Sequence, residues 1–425
     1  MAARVIIRDR RRAKSISAGA LTIAGTSASP AYAQWVGENP ATVSECSSPL
    51  VDDAATVAGN CLVNNVQQAF VRLPSARAST FLAPLASTVG GAPCAATAMN
   101  NAAASSESVM GGCADGNSVI QGVMWDLDNP TAAPTVLQPI SVLGLLPDVQ
   151  TEALAIDTQG MIAGVSINST GTETPVVWSP AGVATALAPA LLSSNANCVP
   201  YDINDAAPPS IIGNCSDAGT GGGNKAVLWQ GPTSAYTILP IPTGANYCTV
   251  SDINFSGQIL GECIYGDDSW RAAFWGSGGT GPIVLSTVGG VAAAHTYSAD
   301  LNDNGLVAGG YVASGASAGF IAPCTWDPTR GSTNAVAISL PGGATGPGFI
   351  QRLGNDGKII GNYETAGGLI LPFHVEPGSS VAVSDGSPAG GPSAVAISLS
   401  KSGTNEAIAS EDSSGHEHVE ERPVP

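Results

Sequence analysis

The sequence predicts an all-β fold, a β-propeller made of four-stranded antiparallel blades. The first observation is a strand, tight turn, strand pattern, clearest at 251–263, where Asn254 and Gly257 punctuate two short apolar runs. Asn caps such a turn through its side chain, and Gly supplies the positive φ that the turn needs. Two further apolar runs, 272–275 and 282–285, complete four strands in this unit.

The second observation is the spacing of these units. A glycine ends the return strand of each one, and successive markers are 48 to 53 residues apart. The markers are Gly59, Gly111, Gly164, Gly213, Gly261, Gly309 and Gly361, with Ser410 in the last unit. A four-stranded unit of this length is typical of propeller blades. A glycine at one phase indicates close approach of a neighbouring backbone or a bulky side chain.

The third observation is composition. Only 11% of residues are charged and 5% aromatic, whereas 52 glycines and 30 prolines indicate many turns between short strands. This composition fits an all-β chain and disfavours a helical one.

The third strand of five units ends in tryptophan. These residues are Trp125, Trp178, Trp229, Trp275 and Trp326. A tryptophan at one phase of a repeat is best explained as packing between adjacent sheets. The alternative is a ring of exposed tryptophans that binds sugars or aromatic ligands.

The units divide the chain into a signal peptide at 1–33, a propeller at 34–410 and an acidic C-terminal strand or tail at 411–425. The count of units is eight, and seven blades with one terminal unit displaced is the alternative. Because the last unit lacks a clear fourth strand, a strand near 34–37 is a candidate for closing the ring.

Eight of the nine cysteines keep a constant phase within their units. The pattern predicts disulfides Cys46–Cys61, Cys94–Cys113, Cys198–Cys215 and Cys248–Cys263, since each hairpin brings its two cysteines opposite one another. Cys324 is left over, and we interpret it as a buried free thiol, with a reactive or intermolecular role as the alternative. Metal ligation by the pairs is the alternative, although no second pair or histidine lies at ligand spacing.

The N-terminus predicts export. Residues 1–14 are basic, an apolar stretch follows, and Ala31-Tyr32-Ala33 forms a cleavage site. The ordinary Sec route is favoured, and paired arginines leave the twin-arginine route open. No later segment is apolar enough to span a membrane, so we expect a protein that is secreted or periplasmic.

The mature chain is strongly acidic. The signal holds six of the 15 basic residues and one of the 33 acidic ones, which leaves nine against 32 and a net charge of −23. Such a charge disfavours nucleic-acid binding. It indicates a solvated exported surface, or a surface that attracts a cationic partner.

These motifs resemble the bacterial extracellular repeats called HAF. The likeness covers roughly residues 44–420 and is best at 225–229 and 271–275, where a short apolar run ends in tryptophan. No unit keeps the histidine of the family, which is Lys225 or Arg271 in these two units. The resemblance implies an exported propeller-type protein without a common activity.

No catalytic motif is present in the sequence, and we predict no catalytic residues, no cofactor and no metal site. The acidic residues at repeat phases are Asp52, Asp157, Asp202, Asp252 and Asp300. We interpret them as caps of hairpin turns, with a structural calcium site as the alternative. His416 and His418 lie in the acidic tail and are interpreted as exposed.

Two classes of function remain open. The favoured one is a monomeric binding scaffold for an extracellular or envelope protein or glycan. The alternative is a glycan hydrolase or lyase with its site in the central funnel. Convergence of two or three members of one polar set in the channel would discriminate between them. That set is Glu152, Asp202, Asp252, Asp300, Arg271 and Arg352.

Overall fold

The computed structural model describes residues 43–423, apart from 75, 77, 86–92, 102–106, 143–145, 189–196, 217–223, 317–319, 343, 387–393 and 412–416. The predicted signal peptide at 1–33 and the candidate closing strand near 34–37 lie outside the described residues.

The described chain forms eight successive antiparallel sheets, which we number 1 to 8. Sheet 1 contains β1 (Val43–Val51), β2 (Val57–Val63), β3 (Val66–Arg72) and β4 (Thr80–Phe81), and sheet 2 contains β5 (Cys94–Met99), β6 (Ser108–Ala114), β7 (Ile120–Asp126) and β8 (Thr135–Val136). Sheet 3 contains β11 (Gln150–Ile156), β12 (Ile162–Ile167), β13 (Glu173–Trp178) and β14 (Ala184–Ala186). Sheet 4 contains β15 (Asn197–Ile203), β16 (Ile211–Ser216), β17 (Asn224–Trp229) and β18 (Thr237–Ile238). A small ribbon of β9 (Ser141–Val142) and β10 (Leu146–Pro147) precedes sheet 3.

Sheets 5 to 8 follow the same plan. Their strands are β19 (Ala245–Ile253), β20 (Ile259–Tyr265), β21 (Trp270–Gly276), β22 (Thr280–Leu285); β24 (Val291–Leu301), β25 (Val307–Ala313), β26 (Ala322–Trp326), β27 (Asn334–Ala337); β28 (Ala344–Leu353), β29 (Ile359–Thr365), β30 (Ile370–Val375), β31 (Val383–Ser384); and β32 (Ala394–Leu399), β33 (Asn405–Glu411), β34 (Glu417–Pro423). In sheet 6, a short extra strand, β23 (Thr287–Val288), pairs with both β24 and β27. Two 3-10 turns, Ser277–Gly279 and Pro328–Arg330, are the helical elements of the described residues.

The sheets are arranged in a ring, because apolar clusters fill the seams between consecutive sheets. Separate clusters join sheets 1 and 2, 2 and 3, and so on to sheets 6 and 7. A further cluster joins sheet 1 to sheet 8 through Phe70 and Ala407. β32 also contacts three strands of sheet 7. This arrangement confirms the predicted all-β propeller.

Polar contacts also join sheet 8 to sheet 1. The Ser402 amide donates to Asp53 Oδ1 at 2.6 Å, and Asn405 Nδ2 donates to the Asp52 and Asp53 carbonyls at 3.3 and 3.1 Å. β34 is the third strand of sheet 8, paired with β33. The predicted boundary at residue 410 therefore falls inside β33, and the C-terminal strand belongs to the ring.

The marker glycines lie opposite a β-bulge in the first strand of the sheet. In sheet 5, Val250 pairs with Gly261 and Asp252 with Leu260, so Ser251 is the extra residue. A Cβ on Gly261 would stand 2.0 Å from the Thr249 carbonyl oxygen, because the bulge turns that carbonyl toward the second strand. The same bulge occurs in sheets 2, 3, 4, 6 and 7. In sheet 8, Ser410 pairs with Ala394 directly before a bulge.

All five repeat tryptophans are buried, with relative exposures of 0 or 1%. Four of them donate an Nε1 hydrogen bond to a carbonyl of the preceding sheet's exit loop: Trp125 to Ala83, Trp178 to Gln138, Trp229 to Ala188 and Trp275 to Pro240. The indole rings also lie close to Gly164, Gly213 and Gly309, where a Cβ would approach within 3.1 Å. These tryptophans pack the seams, so the alternative of an exposed, ligand-binding ring is wrong.

Disulfides close the hairpins between first and second strands. Cys94–Cys113, Cys198–Cys215 and Cys248–Cys263 are present, with Cα separations of 4.0 to 4.1 Å. Cys61 is also disulfide-bonded, and the predicted partner side chain, Cys46, lies outside the described residues. Cys324 is a buried free thiol whose pKa is raised by burial. Three disulfides indicate an oxidising compartment.

We expect Gly261→Ala to destabilise the fold by about 3 kcal/mol or more, because the new Cβ has no space against the bulge. Gly266→Ala is the matched control in the same hairpin, where the nearest atom is 3.9 Å from an added Cβ. The free energy of unfolding of this control should lie within about 1 kcal/mol of that of the parent protein. Urea unfolding measures both variants, and equal stabilities would contradict the steric role of the bulge.

Non-reducing peptide mapping of the mature protein should recover Cys46 linked to Cys61 along with the three disulfides above. Cys324 should react with an alkylating agent only after unfolding, since its side chain is 0% exposed. Linkage of Cys46 to a cysteine of another sheet would contradict the pairing.

Candidate functional site

A cavity of about 1890 Å³ lies along the ring axis. The first strands of all eight sheets line it. Each strand contributes the residue that lies two positions before its first turn. In chain order these residues are Leu50, Ala98, Ala155, Asp202, Asp252, Asp300, Arg352 and Ser398. The described lining includes nine carboxyl side chains: Asp52, Glu152, Glu173, Asp202, Asp205, Asp252, Glu262, Asp300 and Asp303. The basic side chains of this lining are Arg352 and Lys401.

Side chains of the first turns link neighbouring sheets at one face of the ring, which we call the turn face. The Nδ2 groups of Asn204, Asn254 and Asn302 donate to the carbonyls of Asn254, Asn302 and Gly354 at 3.0, 2.9 and 3.0 Å. Each of these carbonyls belongs to the turn of the next sheet. These turn residues were predicted to cap their own turns, and their side chains also join each turn to the turn of the next sheet.

Lys401 crosses the axis at the turn face. Its Nζ lies 2.5 Å from Asp205 Oδ2 and 3.2 Å from Asp303 Oδ2, so a residue of sheet 8 binds residues of sheets 4 and 6. Burial alone would lower the pKa of Lys401, but the two carboxylates raise it above its ordinary value. The Lys401 bridge therefore obstructs this end of the cavity with a charged group that stays protonated.

Asp202, Asp252 and Asp300 form a row across three adjacent sheets. Their Oδ2 atoms accept hydrogen bonds from the amides of Ile253, Leu301 and Leu353 in the following sheet, at 3.2, 2.8 and 2.8 Å. Those amides lie on the axis-facing edge of the first strands, where no neighbouring strand supplies an acceptor. The interpretation of these three residues as turn caps was wrong; they join sheets. Asp52 and Asp157 do cap their own turns, through Thr56 and Met161.

The three carboxyl groups of this row interact with one another. Burial raises the pKa of Asp252 well above its ordinary value, and the neighbouring Asp300 and Asp202 raise it further by repulsion and by hydrogen bonding to it. Arg352 occupies the same position in sheet 7, with Nη1 3.7 Å from Asp300 Oδ1. The structure thus brings Asp202, Asp252, Asp300 and Arg352 together.

Glu152 and Arg271 do not join this row. Arg271 Nη1 donates to the carbonyls of Trp270 and Ala294 at the seam between sheets 5 and 6. Glu152 lines the cavity on sheet 3, opposite Val165 in the strand pairing.

A second polar layer follows the marker glycines directly. Asn60 and Asn214 each make two hydrogen bonds to one backbone residue of the next sheet, Ala96 and Val250, as both donor and acceptor. Glu262 occupies this position in sheet 5 and accepts from the Ser298 amide at 2.9 Å and from the Ser298 hydroxyl at 3.3 Å. Burial raises the pKa of Glu262 to about 7, although the bonds from Ser298 oppose the shift.

Asn362 holds the same position in sheet 7, and its Oδ1 has no hydrogen-bond partner among the described residues. The residue is only 8% exposed and lines the cavity. A buried acceptor without a hydrogen-bond donor lowers the stability of the fold, so such an atom calls for a donor from elsewhere.

Aromatic residues line the cavity toward the end opposite the turn face. Tyr247, Trp270, Tyr297 and Phe349 come from sheets 5, 6 and 7, and all are partly exposed. His295 stacks on Tyr297 with ring centroids 6.2 Å apart, and its Nδ1 accepts from the Trp270 amide. We call Tyr247, Trp270, Tyr297 and Phe349 the aromatic mouth.

Sequence reasoning missed the second polar layer, the aromatic mouth and Lys401. The second layer had a visible signal, since Asn60, Asn214, Glu262 and Asn362 each directly follow a marker glycine. Lys401 had none, because its partners are 196 and 98 residues away in the chain. Among the described residues, no group of three or more His, Cys, Asp or Glu is placed to hold a metal ion. His416 and His418 have side chains outside the described part. None of the helices in the described residues has the length and apolar character that crossing a membrane needs.

Glu262→Gln should stabilise the protein by about 2 kcal/mol at pH 8 and change little at pH 5. The pKa of Glu262 is about 7 in the folded protein and 4.5 in the unfolded chain, so the folded protein holds this proton to a higher pH. Folding is therefore increasingly opposed as the pH rises between these values, and glutamine removes that cost. Urea unfolding at both pH values measures the effect, with the exposed Asp268→Asn as control. A parallel pH dependence of parent and Glu262→Gln would contradict the assignment.

The chain has no match among family models and none among curated proteins. Similar solved structures include the Dos1 propeller, which is 8% identical with a TM-score of 0.51 and is matched over 88% of this chain and 92% of that chain. A prolyl endopeptidase is 10% identical with a TM-score of 0.53, over 88% of this chain and 55% of that one.

A puromycin-hydrolyzing peptidase of Mycobacterium tuberculosis is 12% identical with a TM-score of 0.50, over 91% of this chain and 61% of that chain. The chain spans less than two thirds of the length of either peptidase. At these identities the likeness shows the fold alone, and the fold is a β-propeller.

Proposed function

We propose that this protein is an exported binding propeller that captures a protein or glycan of the cell envelope or surroundings in its central channel. The observation that carries the proposal is a large axial cavity with a partly exposed aromatic mouth at one end and the Lys401 bridge at the other. Aromatic side chains supply large contact areas for sugar rings and for apolar side chains alike.

Three disulfides support placement in an oxidising compartment, and the basic, apolar N-terminus with Ala31-Tyr32-Ala33 supports secretion or a periplasmic location. Membership of the HAF repeats is part of the same proposal. We further propose a monomer that does not bind nucleic acid, in keeping with the strong negative charge.

The convergence of Asp202, Asp252 and Asp300 is the observation that supports a second candidate function, a glycan hydrolase or lyase. Glycosidases keep their two carboxyl groups about 5 to 9.5 Å apart, so that a sugar or a water fits between them. Here the row's carboxyls are close enough to hydrogen-bond to each other, and each is bonded to a backbone amide of the next sheet. These contacts favour a structural and binding function over hydrolysis.

Glycan and protein-partner arrays probed with the mature chain test the proposal. Phe349→Ala should weaken the capture of the identified ligand about tenfold, because it removes a ring from the mouth. Phe320→Ala is the matched control, since Phe320 is 44% exposed against 37% for Phe349 and lies outside the described cavity lining.

A ligand whose capture falls equally in both variants would place binding outside the channel and contradict the proposal. Turnover of an array glycan that disappears in Asp252→Asn would establish the enzymatic alternative instead.

A further inference from the structure

We propose that the channel takes an amphipathic, cationic peptide segment, inserted through the aromatic mouth toward the turn face. This inference rests on the proposed binding function and names the chemistry of its ligand.

The charge of the wall selects a cation. Nine carboxyl side chains and two basic ones line the described cavity, and both bases already contact carboxylates of the same wall. A channel lined by one sign of charge with low-dielectric walls concentrates ligands of the opposite sign.

Asp252 and Glu262 are the two carboxyls best placed for the ligand. The contacts of Asp252 are the Leu301 amide and two other carboxyls, and those of Glu262 are the amide and hydroxyl of Ser298. Among the described residues, neither carboxyl forms an ion pair with a base. Burial is the largest cause of the raised pKa of both groups, and the neighbouring Asp300 and Asp202 add to it at Asp252. An ammonium or guanidinium group from a ligand would supply the counter-charge.

Asn362 gives an independent indication of a ligand. The residue lines the cavity, and its buried Oδ1 has no hydrogen-bond partner among the described residues, whereas the equivalent Oδ1 atoms of Asn60 and Asn214 accept from backbone amides. A ligand N–H group would satisfy this acceptor, and both a peptide backbone and a lysine or arginine side chain offer one.

The wall has two unlike halves at the level of the carboxyl row, and this favours a peptide. Sheets 4 to 7 contribute Asp202, Asp252, Asp300 and Arg352, whereas sheets 1 to 3 contribute Leu50, Ala98 and Ala155. A peptide can present lysines on one side and apolar side chains on the other. An amino-sugar oligomer repeats an ammonium group on every ring and has no separate apolar side chains.

The size of the cavity favours an oligomeric ligand. Its volume of about 1890 Å³ exceeds the roughly 300 to 1000 Å³ of small-molecule pockets. The rings of the aromatic mouth, Tyr247, Trp270, Tyr297 and Phe349, can also stack against entering cationic groups.

The test is fluorescence anisotropy with the mature chain and four labelled probes at physiological ionic strength. The probes are an alternating Lys–Leu decapeptide, its Glu–Leu counterpart, a deca-lysine and a glucosamine hexamer. The Lys–Leu peptide should bind best. Asp252→Asn and Glu262→Gln should each weaken this binding about tenfold, and Asp268→Asn, an exposed turn residue, should not change it.

Each result decides between the inference and its failure. Binding of Lys–Leu that is unaffected by both channel variants would reflect the acidic surface and would overturn it. Tighter, variant-sensitive binding of the glucosamine hexamer or of deca-lysine would overturn the amphipathic peptide while leaving the binding function intact. Absence of binding by all four probes would also overturn the inference, and the arrays would then decide the proposed function separately. The assay is run at pH 8, where Glu262→Gln is expected to be more stable than the parent, so weaker binding by this variant would not come from unfolding.

Discussion

The axis-facing edge of each first strand is the constraint on which the rest of this structure depends. Such an edge has no neighbouring strand, so its N–H and C=O groups need other partners. The preceding sheet supplies them through side chains: Asn60 and Asn214 bind both groups of one residue, and Asp252 and Glu262 accept from one amide each. The seams of the ring are therefore polar near the axis and apolar farther out.

This solution places acidic groups in the channel. A carboxylate accepts from an edge amide as well as an asparagine does, but it brings a charge that burial opposes. At Asp252 and Glu262 the result is a raised pKa, and in the channel as a whole it is a negative field. Under the proposed binding function, the side chains that hold the sheets together are also the ones that select the ligand.

The bulge connects the repeat pattern to the same edge. It re-aims one residue of the first strand and turns a carbonyl toward the second strand, which only glycine tolerates at positions such as Gly261. The neighbouring tryptophan then fills the space above that glycine in sheets 3, 4 and 6. In sheets 3 and 4 its indole Nε1 also donates to a carbonyl of the preceding sheet. Glycine and tryptophan are therefore two parts of one packing arrangement that each unit repeats.

The sequence by itself determined the repeating unit: the turn chemistry of Asn254 and Gly257, the glycine and tryptophan phases, and three hairpin disulfides. These features are local, because each depends on residues within about fifty positions of one another. The tertiary structure alone decided which polar groups meet on the axis, since Lys401 and Asp205 are 196 residues apart and Asp252 contacts its partners across two seams. Closing a ring brings equivalent positions of different units together, and the one-dimensional pattern does not record which of them face the axis.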